Sequence, residues 1–221
     1  MSSLVVSGDT SGSVTIAAPA VAGSGTLTLP VATDTLVGKA TTDTLTNKSI
    51  AATQLTGTIA VARLPAGSVL QVQSVYLTSA TQLTSSGAFH ELSTSLRIAF
   101  TPVSASSTLY LECYGSYVSP QSNNLYYGAF YDVTNAAYVN LPPASGSRTR
   151  SHWFKRTTSF DPNDADDMNF NILVANTSTT ARTYTIYHGS EGAVAQFLVS
   201  TLSSSAGATY PITFKITEVA A

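Results

Sequence analysis

The sequence predicts an all-β protein in two parts: an extended N-terminal stalk with short strands over 1–66, and an antiparallel β-sandwich head, jelly-roll-like, over 67–221. Three observations predict it. The 11 Tyr, 8 Phe and single Trp all fall at Tyr76 or beyond, so the first part has no rings with which to build a core. Beyond Gly67, short runs of alternating apolar and polar residues recur between clusters of turn-forming residues, the signature of strands with one buried face. No extended stretch carries the 3.6-residue period of a helix.

In the first part, Val14-Thr15-Ile16-Ala17 and Leu27-Thr28-Leu29 read as short strands bounded by Gly8, Gly12, Pro19, Gly23, Gly25 and Pro30. A series of single apolar residues follows on a polar string: Leu36, Leu45, Ile50, Leu55, Ile59 and Leu64. One copy of such a segment cannot bury enough apolar surface to fold alone. A flexible linker is one reading of it; the spacing favours a narrow core shared between two or three chains.

In the second part, Ser68–Leu77 opens a series of strands expected at about 88–92, 96–101, 107–118, 125–132, 149–160, 168–175, 181–188, 194–200 and 210–219. Three of them declare a face: Leu109, Leu111, Cys113 and Tyr117; Met168, Phe170, Ile172 and Val174; Ile212, Phe214 and Ile216. The separators are turn chemistry, as in Ser119-Pro120-Gln121-Ser122-Asn123-Asn124 and Asp161-Pro162-Asn163-Asp164. Short strands with regular turns point to an antiparallel sandwich or an open barrel.

Composition narrows the function. Of 221 residues 43% are hydrophobic, but only 10% are charged and the formal net charge is −2. Hydroxyls hydrate the surface in place of charge, since Ser and Thr make up more than a quarter of the chain. A nucleic-acid partner needs a concentrated positive field, which is missing. No apolar run is long enough to insert into a membrane as a helix, and no secretory signal is evident at Met1-Ser2-Ser3-Leu4. Cys113 is the only cysteine, which rules out an intrachain disulfide or a cysteine-based zinc site. A protein assembled in the cytoplasm is expected.

Catalytic and cofactor motifs are missing as well. There is no Gly-x-Ser-x-Gly nucleophile turn and no phosphate-binding or dinucleotide glycine fingerprint. His90, His152 and His188 lie far apart, and His90 and His188 read as packed or surface imidazoles. No enzyme activity, cofactor or metal is expected. The cluster Asp161, Asn163, Asp164, Asp166 and Asp167 has oxygen ligands suited to calcium but lacks the glycine and glutamate of an EF-hand loop, and a solvated turn fits it better. The stretch from Arg148 to Arg156, with His152, Trp153, Phe154 and Lys155, interleaves cations and rings. It suits a strand with rings inward, a contact with a neighbouring subunit, or a grip on an anionic sugar. Tyr114, Tyr117, Tyr126, Tyr127, Tyr131 and Tyr138 raise the same question of core against recognition.

Four segments carry a resemblance. Ser7–Gly23 followed by Thr26-Leu27-Thr28-Leu29-Pro30 resembles the N-terminal region of tailed-bacteriophage virion proteins of the tail-fibre type. Asp43-Thr44-Leu45-Thr46-Asn47-Lys48-Ser49-Ile50 resembles an element repeated in phage fibre shafts, and Leu64–Val72 resembles the junction from stalk to globular domain. The closing Ile216–Ala221 is similar to the ends of such proteins. The resemblance implies a virion structural protein, commonly a homotrimer, joined to other virion proteins through its N-terminal region and carrying a β-rich head. It implies no catalytic residues. An attachment fibre whose head meets a glycan or protein on the host surface is the leading expectation. A capsid decoration protein or head fibre is the alternative within the structural class, and a glycan-degrading tailspike is the alternative outside it. For an attachment fibre, recognition is expected on loops at the outer tip: the 119–127 segment with Gln121, Asn123, Asn124, Tyr126 and Tyr127, and the Pro142–Arg150 loop.

Overall fold

The computed structural model describes residues 3–17, 20–21, 23–26, 31, 49–54, 56–57, 59–77, 89–118, 125–156, 165–191 and 211–221. The chain divides into two compact units, Met1–Thr56 and Gly57–Ala221, so the segment before Gly67 groups with the β domain. Its short 3-10 turn Val61–Arg63 leads into backbone bonds that tie the domain's two ends: Gly67 N–H donates to Ala220 O at 2.9 Å, and Ala220 N–H to Ser68 O at 2.8 Å. Among the described residues all regular elements are strands or short 3-10 turns.

Among its described residues the first unit contains one hairpin, β1 (Ser3–Ser7) and β2 (Ser13–Ala17), paired antiparallel. Sequence patterning finds β2 but misses β1, where Leu4-Val5-Val6 does not alternate. The loop closes with Gly8 N–H donating to Gly12 O at 3.0 Å, and Gly12 adopts φ 77°, a left-handed conformation natural to glycine. The register sets Leu4 opposite Ile16 and Val6 opposite Val14, so one face of the ribbon is wholly aliphatic. These four side chains are 48% to 68% exposed. The expected strand at Leu27–Leu29, the part of the shaft-like run Asp43–Ile50 up to Lys48, and Leu36, Leu45 and Leu55 lie outside the described residues.

The second unit holds β3 (Val69–Leu77), β4 (His90–Glu91), β5 (Ile98–Phe100), β6 (Thr108–Tyr114), β7 (Ser116–Val118), β8 (Leu125–Asp132), β9 (Ala137–Tyr138), β10 (Trp153–Arg156), β11 (Ala165–Asp167), β12 (Phe170–Ala175), β13 (Arg182–Glu191) and β14 (Ile212–Val219). One antiparallel sheet has the order β12-β6-β14-β3. The other has the order β10-β8-β13-β4, with β5 also on β13 and β9 on β8, and β11 pairs with β7 separately. The strand expected at 194–200 lies outside the described residues. Two antiparallel sheets sharing one core are consistent with a β-sandwich.

Alternation places that core. From the first sheet, Leu109, Leu111, Cys113, Met168, Phe170, Ile212, Phe214 and Ile216 are buried as their spacing predicts, with Ile172 and Val174 packed at the margin. From the second sheet, Phe130 lies 4.7 Å from the Phe170 ring and 5.6 Å from the Phe214 ring, joining the layers. Each fully buried large side chain contributes about 1.5–3 kcal/mol. Two glycines permit close approach. A Cβ on Gly128 would come within 3.2 Å of the Phe170 ring, and one on Gly115, between β6 and β7, within 2.8 Å of the Ile212 side chain.

Continuing the alternation of β14 inward puts a carboxylate, Glu218, among these apolar groups. It accepts hydrogen bonds from the Ser107 hydroxyl at 2.6 Å, the Gln71 amide at 2.7 Å and the backbone N–H groups of Val103 and Ser104. Burial pushes its pKa up, but these donors together outweigh burial and hold it below the ordinary carboxylate range. The charged form therefore clasps the 103–107 turn to the last strand.

Candidate recognition cleft

β8 is buried on both sides, which governs the site. Its even-numbered residues Tyr126 and Phe130 face the core, whereas Tyr127 points to the opposite side of the sheet. There Tyr127 packs edge-on against Phe89 at 4.7 Å, and Phe89 against Tyr138 at 4.9 Å. Tyr131 contacts Tyr138 at 5.0 Å and stacks on Tyr187 at 4.2 Å. The outer face of this sheet is thus paved with rings. Burial raises the phenol pKa values of Tyr127, Tyr138 and Tyr187, with Tyr138 pushed up to about 12, so all three stay neutral hydrogen-bonding groups.

A cleft of about 250 Å³ opens at one end of this paving, between β10, the start of β8 and the loop from Pro142 to Ser151. Leu125 and Tyr127 form its floor, and Pro142, Pro143 and Phe154 its apolar walls. Phe154 stands opposite Tyr127 in the ladder and is 69% exposed. The hydroxyls of Ser145, Thr149 and Ser151 line the remaining side, together with Arg148 and Arg150.

The two arginines have different tasks. Arg150 folds back and donates from Nε to Pro142 O at 2.6 Å and from Nη2 to Leu141 O at 2.9 Å, pinning both ends of the loop. Arg148 is exposed at the rim. Among the described residues no carboxylate is in the lining itself, but Glu191 stands beside it on β13, opposite Leu125, close enough to raise the Tyr127 pKa. His152 braces it from behind: Phe130 N–H donates to His152 Nδ1 at 3.1 Å, which leaves Nε2 to carry the proton toward Asn140 O at 3.4 Å. Burial lowers its pKa, so the ring is neutral.

The expected tip residues fare unequally. Tyr126 and Tyr127 are not on a tip loop: they sit in β8 and are 1% exposed, because that strand is covered on both faces. Gln121, Asn123 and Asn124 lie outside the described residues. The Pro142–Arg150 loop is exposed and forms the cleft. The Arg148–Arg156 stretch divides, with Trp153 packed on the core and Phe154 directed outward. Of the other tyrosines, Tyr114 is exposed, Tyr131 and Tyr138 are half-buried in the ring paving, and the Tyr117 side chain lies outside the described ones.

Other polar groups are structural. His188 is buried opposite His90, and burial with the nearby His90 pushes its pKa down to about 3. Burial pushes the Cys113 thiol up, away from the reactive thiolate. Among the described residues no group of three or more His, Cys, Asp or Glu side chains is placed to hold a metal, and no helix is long and apolar enough to cross a membrane. Asp161, Asn163 and Asp164 lie outside the described residues, as does the Asp166 side chain, while Asp167 is exposed.

The other sheet presents a second kind of surface. Its outer face exposes Val72, Tyr76, Tyr110, Tyr114 and Leu173, with Lys215 paired to Glu112 at 2.6 Å between them. The ladder aligns Val72, Thr217, Tyr110 and Leu173 in one row across all four strands.

Against this geometry the comparisons are silent: no protein-family model matches the chain, and no curated protein matches it either.

Proposed function

We propose that the chain is a bacteriophage virion structural protein, a short homotrimeric tail fibre whose N-terminal region anchors it to the particle and whose jelly-roll-like head contacts the host surface. The observation that carries this reading is the division of labour within one chain. A ribbon with an uncovered aliphatic face, Leu4, Val6, Val14 and Ile16, precedes a β domain with its own core. A two-stranded ribbon is marginal in water by itself, so its apolar face fits a partner chain, and the fibre-like motifs beside it make that partner another virion protein or a second copy. The exposed apolar row through Val72, Tyr110 and Leu173 supports packing of heads around a shared axis. The cleft beside the Pro142–Arg150 loop leaves the other sheet's outer face for recognition. The neutral, packed His152 and His188 and the buried Cys113 thiol favour binding over catalysis.

Competition tests the reading. Purified full-length protein incubated with susceptible cells should slow particle adsorption in a dose-dependent way, and antibodies to the head should block it. Unimpeded adsorption, together with particles that lose capsid stability when the protein is missing, would replace the attachment role by capsid decoration.

A further inference from the structure

We infer that the cleft between β10 and the Pro142–Ser151 loop is a binding site for an acidic saccharide. The inference deepens the attachment reading and rests on it only for the biological source of the sugar; the chemistry stands on the cleft itself. Three features converge. Phe154 holds a ring 69% exposed on a strand, fixed by its ladder with Tyr127, where burial in the core was open to it had the register shifted by one. An exposed ring on a rigid element offers the flat apolar face on which a pyranose stacks. Pro142 and Pro143 extend that face with stiff, low-entropy surface.

Charge sets the class of sugar. The chain carries a net charge of −2, yet this cleft is lined by two arginines, and the carboxylate beside its floor, Glu191, stands on β13 opposite Leu125 and not on the Pro142–Ser151 loop that carries them. Arg150 uses its guanidinium on Leu141 O and Pro142 O, which keeps the loop in shape and leaves Arg148 to meet a ligand. A guanidinium presents a planar fork that matches a carboxylate. The hydroxyls of Ser145 and Ser151 both donate and accept, as sugar hydroxyls require, while the Thr149 side chain is hydrogen-bonded to Tyr127 and helps to fix the floor. The floor is already satisfied: Tyr127 is buried and its hydroxyl donates to Ser190 O at 3.3 Å, so it supplies shape. A neutral sugar would leave Arg148 unused, and a simple anion would leave Phe154 and the prolines unused. A uronic or sialic acid residue uses both.

The experiment titrates the full chain with sialyllactose, with an oligogalacturonate, with lactose as the neutral counterpart, and with inorganic phosphate. At least one acidic saccharide should bind, with affinity that weakens as salt is raised. Arg148→Ala and Phe154→Ala should each weaken it by about tenfold or more, the first through the charge and the second through the stacked face. Both side chains are exposed, so both variants should melt as the parent does, which separates lost binding from lost fold. The site is overturned if neither acidic saccharide binds, if lactose or phosphate binds as tightly, or if both variants bind like the parent. Adsorption that the purified parent blocks, and that the two variants block equally well, overturns this cleft as the source of attachment while leaving attachment intact. Saccharide binding that passes these controls in a protein with no effect on adsorption keeps the site and removes the attachment role.

Discussion

The N-terminal ribbon and the β domain use the same alternation to opposite ends. In the domain, Leu109, Leu111 and Cys113 face Phe130 and its neighbours across a second sheet, and the apolar face disappears from water. In the ribbon, Leu4, Val6, Val14 and Ile16 make an equally clean apolar face that stays exposed. The difference teaches that strand pattern specifies a face, while a second layer decides whether that face becomes core or contact surface. One region has a core of its own, and the described part of the other leaves its apolar face uncovered.

Substitutions should separate the two. Phe130→Ala removes the ring that joins the layers through Phe170 and Phe214 and should cost about 3–5 kcal/mol in urea unfolding of the domain. A cost below about 1 kcal/mol would mean that the two sheets do not depend on that contact.

Acid should come next. His188 is neutral in the fold, with its pKa depressed from 6.5 to about 3, whereas in the unfolded chain it takes up a proton near pH 6.5. Stability from this group is therefore full above about pH 6.5 and falls as pH drops toward 3, by on the order of 2 kcal/mol at pH 4.5. Glu218 adds a second acid limb: its folded pKa is lowered, so its contribution is present above the ordinary carboxylate range and is lost as pH falls through the folded value. His188→Phe should flatten the first limb and leave the second. Thermal melts from pH 7 to pH 3.5 would show this, and a parent profile flat between pH 7 and 4.5 would contradict the burial of His188.

Gly115→Ala is expected to cost about 1–3 kcal/mol, since its Cβ would meet the Ile212 side chain at 2.8 Å and the Ile212 Cα at 3.1 Å. Unfolding at the parent's midpoint would show that β6 and β14 part there at no cost. The smallest effect belongs to the ribbon. Leu4→Ser with Val6→Ser should move the unfolding of the domain by less than about 0.5 kcal/mol, because substitutions at exposed positions contribute little to stability. The same pair should weaken assembly. A large loss of domain stability would show that the two regions are one folding unit.

Much of this fold is legible in the sequence because a strand with one wet face advertises itself. The faces of β6, β12 and β14 follow directly from period two, and the structure buries Leu109, Leu111, Cys113, Phe170, Ile212, Phe214 and Ile216 and partly buries Ile172 and Val174. β8 is harder for a physical reason. Leu125-Tyr126-Tyr127-Gly128-Ala129-Phe130 is covered on both faces, so it does not alternate, and a tyrosine pair next to turn residues reads as a tip. That is why Tyr126 and Tyr127 look like tip-loop residues, whereas they lie buried within a strand. The cleft is partly legible: the mixture of cations and rings from Arg148 to Arg156 marks its chemistry. Which arginine remains for a ligand depends on the loop folding back so that Leu141 and Pro142 carbonyls capture Arg150, and no local pattern encodes that return.

Light scattering on the full chain and on a chain beginning at Gly57 puts the central comparison to the test. The account predicts a trimer for the full chain and a folded species of lower order for the shorter one, with a cooperative melt and a β spectrum. A full chain that is monomeric at micromolar concentration, or a shorter chain that fails to fold, would contradict it.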